Sequence, residues 1–259
     1  MKTLPDELKT PLCELLLSVA DDKLMLGQRN SDWTGLGPIL EEDIAFSSLA
    51  QDDLAHASAL YELVAELTGD DANRLAYGRA PAEYRCAQLV ELSDGFDWAV
   101  AITRQFLCDH FELLRLGRLA HSEFEPLRLL AVRLLAEERL ALGHADSWVA
   151  RLGRGGRDAK DRMQAAVTRL SGLAVGLFEP SVGIERLEQA GVYPRGERDM
   201  FERWASSVEE TLERAGLAWD GPRLDPDRPG GRRGQRSAAF GELHDEMTEV
   251  YRVEPHARW

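Results

Sequence analysis

Cysteine is scarce in this sequence, with three residues, Cys13, Cys86 and Cys108, among 259. Their number is odd, they lie far apart, and each has an apolar neighbour. This pattern argues against a disulfide framework and against a cysteine-based metal site. We expect three buried, reduced thiols, as is usual in a cytoplasmic protein.

Long apolar runs are also missing. The N-terminal region holds only the short run 15–20, which has an acidic flank. A membrane-spanning helix needs about 20 apolar residues, and a signal peptide has a basic start. We therefore expect a cytoplasmic protein that does not cross a membrane.

Positive charge is in deficit, because 31 Lys and Arg face 45 Asp and Glu, for a net charge of -14. Binding to nucleic acid or to an anionic membrane needs a basic face that neutralises phosphates. The composition therefore disfavours both partners. A basic protein partner remains compatible with it.

Strand patterns, in which Val, Ile and Thr alternate between tight turns, are nearly absent, whereas apolar residues recur at steps of three and four. The sequence therefore predicts an all-α protein. No composition break demands two domains. We expect a single helical domain over 1–259, with a core four-helix bundle at about 11–152 and peripheral helices and a C-terminal tail at about 157–259. The predicted helices are roughly 11–30, 40–68, 97–120, 125–152, 159–177, 197–215 and 237–253.

Four well-separated segments each place an acid on the apolar stripe of a predicted helix. These acids are Asp22, Asp53, Asp109 and Glu138, and His56 follows Asp53 by three residues. An ionised carboxylate costs several kcal/mol to bury unless a metal, a cation or hydrogen bonds compensate it. The spacing suggests two copies of one helical hairpin. That is the arrangement of carboxylate-bridged di-iron bundles, in which two helices supply one acid and two supply Glu-x-x-His.

The second of these histidine motifs is broken. Asp53 and His56 satisfy the first, but the residue three positions after Glu138 is Ala141. We interpret the set as a degenerate site, with no metal, whose buried acids form hydrogen-bonded or ionic pairs. Neighbouring cations for such pairs include Lys23, Arg104 and Arg139. An alternative is that some of these helices are rotated and their acids face solvent.

Four arginines lie in or beside a segment rich in Pro and Gly, at about 219–234. These are Arg228, Arg232, Arg233 and Arg236. They are suited to an acidic partner or to a coenzyme A phosphate. A solvated loop is the preferred interpretation.

Several motifs resemble a known family. The segments 26–35 and 40–45, with Pro38 between them, resemble the N-terminal signature of the C subunit (PaaC) of phenylacetyl-CoA epoxidase. The segment 240–247, with Phe-Gly, Leu243 and Glu-Met, is the most specific match. Further matches are at 89–91, 103–106 and 162–164. The resemblance covers about residues 15–259.

The resemblance implies a ferritin-like helical bundle that pairs with a homologous catalytic A subunit. In that family the A subunit holds the di-iron centre, and the C subunit is structural and has lost its ligands. We expect a non-catalytic subunit, without a cofactor of its own, that supports the A subunit in aerobic phenylacetate catabolism. Candidate partner-binding residues are Trp33, Arg236 and Trp259. The alternative for each Trp is that it covers its own core.

A rival hypothesis is an enzyme, namely a self-sufficient di-iron or di-manganese oxidase in which water fills the missing ligand position. It predicts metal in the bundle core and a pocket that reaches it. Its ligands would be Asp22, Asp53, His56, Asp109 and Glu138.

Overall fold

The computed structural model describes residues 4–93, 95–224 and 230–255. In these ranges the chain forms ten α-helices, three short 3-10 segments and no strand. The all-α prediction is therefore confirmed, and the architecture is consistent with a ferritin-like helical bundle. The helices are α1 (Asp6–Ser31), α2 (Leu40–Thr68), α3 (Ala72–Tyr77), α4 (Gln88–Glu91), α5 (Trp98–Leu119), α6 (Glu125–Gly153), α7 (Arg157–Ala174), α8 (Ile184–Gln189), α9 (Glu197–Arg214) and α10 (Phe240–Val253).

The chain divides into two compact units, each built from separate stretches of sequence. Unit 1 takes residues 1–93, 179–187 and 229–259, and unit 2 takes 94–178 and 188–228. The C-terminal segment, residues 229–259, thus belongs to the same unit as the first two helices. The sequence pattern, which predicts one domain with a peripheral tail, does not indicate this division.

Local signals set the ends of the long helices. The predicted second helix, 40–68, has the bounds of α2, which ends at Gly69 because that residue adopts a left-handed conformation with φ of 78°. At the start of α5 the carboxylate of Asp97 accepts a hydrogen bond from the Ala99 N–H at 3.0 Å. The predicted fifth helix, 159–177, corresponds to α7. This helix begins at Arg157 and ends at Ala174, where a 3-10 turn follows.

Unit 1 is organised around the α1–α2 pair. The two helices come very close at Gly27, where an added Cβ would lie 2.9 Å from Cγ of Leu54 and 3.1 Å from the carbonyl oxygen of Ala50. Helices α4 and α10 also contact α1. As a result, every residue of α1 from Ser18 to Gly27 is buried, whatever its polarity.

Unit 2 is organised around α5, which contacts α6, α7 and α9. Aromatic rings fill the space beside it. Trp204 is completely buried and donates its indole N–H to the carbonyl oxygen of Leu107 at 3.1 Å. Phe178 packs edge-on against Trp204, with ring centroids 5.2 Å apart. These contacts fix α9 against α5.

Within the described residues, none of the helices is long and apolar enough to cross a membrane. All three cysteines are free thiols, but Cys13 is only half-buried, whereas Cys86 and Cys108 are buried.

Candidate functional site

The residues predicted as metal ligands are all buried. None of the five exposes more than 5% of its surface. The alternative in which the acids face solvent is therefore wrong. Asp22 lies on α1, Asp53 and His56 on α2, Asp109 on α5 and Glu138 on α6.

Asp53 is bound by two donors from α1. Its Oδ1 accepts a hydrogen bond from the ammonium of Lys23 at 2.9 Å, and its Oδ2 accepts one from the amide of Asn30 at 3.3 Å. Lys23 and Asn30 are seven residues apart, so they lie two turns apart on one face of the helix. The side chains of Lys23 and Asp53 are 4% and 6% exposed. Asp53 is thus the carboxylate of a buried ion pair.

Asp22 is bound by the C-terminal segment. Arg232 donates from both terminal nitrogens, to Oδ1 at 2.8 Å and to Oδ2 at 2.7 Å, in the bidentate geometry that suits a carboxylate. The backbone N–H of Ala87 donates a further hydrogen bond to Oδ1 at 2.8 Å. Arg232 also donates to the carbonyl oxygens of Ser18 and Arg85.

A third buried acid of unit 1, Asp21 on α1, is bound by another arginine, and the sequence pattern did not single it out. Asp21 forms an ion pair with Arg79 and accepts hydrogen bonds from the Tyr61 hydroxyl and the Arg85 N–H, each at 2.5 Å. Burial, with the nearby Asp21 charge, raises the pKa of Tyr61 well above its ordinary value, so the hydroxyl remains a donor. An apolar stripe marks one face of a helix, whereas α1 is buried on all faces between Ser18 and Gly27, so each charged residue there needs its own partner.

The two acids of unit 2 lie on neighbouring helices. Asp109 on α5 accepts a hydrogen bond from the amide of Gln105, one turn earlier, at 2.6 Å. Glu138 is buried on α6. Of the two cations that we expected to pair with buried acids here, Arg104 is buried on α5, but Arg139 lies exposed at the surface. The prediction that Arg139 partners a buried acid is wrong, because its position on α6 points the side chain outward.

Unit 2 also holds a buried histidine that the sequence analysis did not select. His110 on α5 lies 2.7 Å from the Ser207 hydroxyl through Nδ1 and 3.0 Å from Asp146 Oδ1 through Nε2. Its edge packs against Phe106, with ring centroids 4.6 Å apart. The residue ties α5 to α6 and α9.

The comparison with known proteins decides the family. The model of the family described as "Phenylacetic acid catabolic protein" (PaaA_PaaC) matches residues 1–259. This chain belongs to that family. A relative within the curated proteins is the C subunit of the 1,2-phenylacetyl-CoA epoxidase of Escherichia coli (strain K12), 29% identical over 244 residues, which are 94% of this chain and 97% of the relative. The resemblance that the sequence motifs suggested is confirmed.

In this member of the phenylacetic acid catabolic family, the unit 1 residues do not fit a di-metal centre. A carboxylate ligand needs lone pairs directed at the metal, and the oxygens of Asp22 and Asp53 already accept hydrogen bonds from charged or amide donors. The ammonium of Lys23 stands against Asp53 as the counter-ion. Within each unit, the described residues form no group of three or more His, Cys, Asp or Glu that could hold a metal ion.

The three residues that we expected to bind a partner subunit lie in different surroundings. Trp33 is buried and packs edge-on against Phe46, with ring centroids 6.5 Å apart, so it covers its own core. Arg236 turns inward, where its guanidinium forms an ion pair with Glu91 at 2.7 Å and contacts the Cys86 sulfur. Burial raises the pKa of that Cys86 thiol well above its ordinary value. Trp259 lies outside the described residues.

The glycine that precedes Arg232 offers a test of how tightly the C-terminal segment docks. A Cβ added to Gly231 would overlap the Cys86 carbonyl oxygen and lie 2.9 Å from its carbonyl carbon. Because the obstacle is backbone, we expect Gly231→Ala to cost roughly 2–3 kcal/mol, in the upper range for overpacking. Urea denaturation measures this cost.

The matched control for that variant is Gly241→Ala in α10, where an added Cβ has no neighbour within 4 Å. Alanine is the better helix former, so the control should be neutral or stabilised by up to about 1 kcal/mol. Equal stability of the two variants would contradict the docking of residue 231 against Cys86.

Proposed function

We propose that this chain is a non-catalytic structural subunit of a multicomponent phenylacetyl-CoA epoxidase, which acts in phenylacetate catabolism. In this role it binds and supports a homologous catalytic subunit, to which the di-iron centre belongs. Family membership and the E. coli relative support the pathway. The observation that carries the structural role is that Asp22 and Asp53 already hold Arg232 and Lys23.

The electrostatics of these pairs oppose metal binding. A metal ion at Asp53 would stand beside the Lys23 ammonium, which lies 2.9 Å from the carboxylate. Like charges repel strongly where water is excluded. Displacing the ammonium instead would leave it buried without its counter-ion, at a cost of several kcal/mol. The pairs therefore favour a bundle held together by its own cations.

An apolar surface on unit 1 supports a role in subunit binding. Four large apolar side chains are exposed where α2 begins, at 46–71% of their surface. They fall within nine residues of sequence. These are Leu36, Ile39, Leu40 and Ile44. An exposed apolar cluster with acidic neighbours such as Glu41 is typical of a protein–protein interface.

A second apolar surface lies on unit 2. Leu129, Val132, Ala136 and Leu140 are exposed on α6 at steps of three and four, so they share one outer face of the helix. The buried face of the same helix carries Glu138. Because α6 also buries apolar residues on its inner face, its exposed apolar face is available for a partner.

Disrupting either surface should weaken subunit association. We expect Leu40→Asp and Leu140→Asp each to reduce co-purification with the co-expressed catalytic subunit at least tenfold, because a charge would then be buried at the interface. The control is Val253→Asp, whose parent side chain is 83% exposed at the end of α10. Unchanged association of both variants, with the control also unchanged, would remove these faces from the proposal.

Metal content tests the non-catalytic role directly. We expect the purified chain, expressed with ample iron, to contain close to no iron or manganese by elemental analysis. Two metal ions per chain, lost in Asp53→Ala, would overturn the proposal and establish the rival di-metal oxidase.

A further inference from the structure

A groove of about 380 Å³ opens on the surface of unit 2. Its walls come from the C-terminal half of α5, from α6, from the segment before α9 and from α9 itself. The lining includes three arginines and a histidine, with leucines on the α5 and α6 sides. The arginines are Arg118, Arg139 and Arg203, the histidine is His121, and the leucines include Leu113 and Leu135.

The arginines of this groove differ in how firmly they are held. In the part of the chain that the structure describes, Arg139 and Arg203 form no ion pair, and both are exposed. Arg118 is held in place, since it stacks on the Tyr193 ring at 4.8 Å and donates to the Pro194 carbonyl oxygen. The Nε–H of Arg118 is buried and has no hydrogen-bond partner among the described residues.

This grouping is unusual in a chain with a net charge of -14. Three guanidinium groups from three elements repel one another, and a bound anion would relieve that repulsion. Arginine forks match the geometry of phosphate oxygens and bind them through paired hydrogen bonds. Arg118 lines the same groove as Arg139 and Arg203, so an anion bound there would lie near all three residues.

The shape of the groove points to a small molecule. Its volume lies within the range of roughly 300–1,000 Å³ that is usual for small-molecule sites. Leu113 and Leu135 add apolar wall beside the arginines. A ligand that fits has a phosphate at one end and an apolar part at the other.

We propose that this groove of unit 2 is a binding site for a phosphate-bearing small molecule, with the phosphate on Arg118, Arg139 and Arg203. The apolar part of the ligand lies against Leu113 and Leu135. The proposal rests on the groove alone and is independent of the proposed structural role.

Isothermal titration calorimetry with pyrophosphate and with phenyl phosphate tests it, using the full chain at low salt. We expect saturable binding of both probes with a Kd below about 1 mM, weakened at least tenfold in the double variant Arg139→Gln/Arg203→Gln. Both residues are exposed, so the variant should fold. Tighter binding of phenyl phosphate than of pyrophosphate, which carries more charge but no apolar part, would assign the leucines to the site.

The matched control is Arg133→Gln/Arg169→Gln, which removes two exposed arginines outside the groove and changes the net charge equally. It should bind the probes as the parent chain does. The proposal is overturned by an absence of saturable binding, or by equal weakening in the control. It is also overturned if the groove variant keeps probe binding and loses only the association with the catalytic partner, since the groove would then hold a partner's carboxylate.

Discussion

Replacing Arg232 with methionine should lower the free energy of unfolding by about 3–5 kcal/mol. The substitution leaves the Asp22 carboxylate buried beside the Ala87 N–H and without the guanidinium that holds both its oxygens. It also removes donors from the carbonyl oxygens of Ser18 and Arg85. Urea denaturation followed by circular dichroism measures the loss.

Two controls separate the buried pair from the surrounding loop. Arg233→Met removes the neighbouring arginine, whose side chain is 41% exposed and lies 3.9 Å from Glu179, so it should cost no more than about 1 kcal/mol. Adding Asp22→Asn to Arg232→Met removes the orphaned charge and should restore much of the stability. Similar costs for Arg232→Met and Arg233→Met would contradict the pair.

Replacing Lys23 with methionine should have a comparable effect, about 3–5 kcal/mol. Methionine fills a similar volume, but Asp53 would keep the neutral amide of Asn30 and lose the ammonium that balances its charge. Because both members of the pair are almost fully buried, water cannot take the place of the ammonium. The shift of the urea midpoint, at an unchanged denaturant slope, reports this loss.

The exposed control is Lys9→Met, also on α1. Lys9 pairs with Asp6 at 2.8 Å, yet these side chains are 45% and 93% exposed, so the expected cost is below about 1 kcal/mol. In the double variant Lys23→Met/Asp53→Asn, most of the lost stability should return. If Lys23→Met costs as little as Lys9→Met, the buried pair does not stabilise the fold.

The features that the sequence predicted correctly depend on residues that lie close together along the chain. The bounds of α2 follow from its apolar spacing and from Gly69, and the burial of Asp53, His56 and Glu138 follows from their position on apolar stripes. The broken Glu-x-x-His motif is likewise a local fact. Each of these signals lies within a few turns of one helix.

What the sequence could not predict depends on residues far apart. Asp22 and Arg232 are separated by 210 positions, and nothing in the composition near 232 distinguishes that arginine from Arg233. The interpretation of this cluster as a solvated loop is wrong for Arg232, which is buried, and right for Arg233, which is exposed. Arg228 lies outside the described residues.

Because unit 1 is built from separate stretches of sequence, its composition also affects how the chain folds during synthesis. Translation places Asp22 210 positions ahead of Arg232, so throughout that interval the nascent chain holds the Asp22 carboxylate without its guanidinium partner. Unit 2, by contrast, has all of its described residues by position 224. Unit 2 can therefore fold while unit 1 still lacks Arg232, and we expect the core of unit 1 to form after that of unit 2 during synthesis.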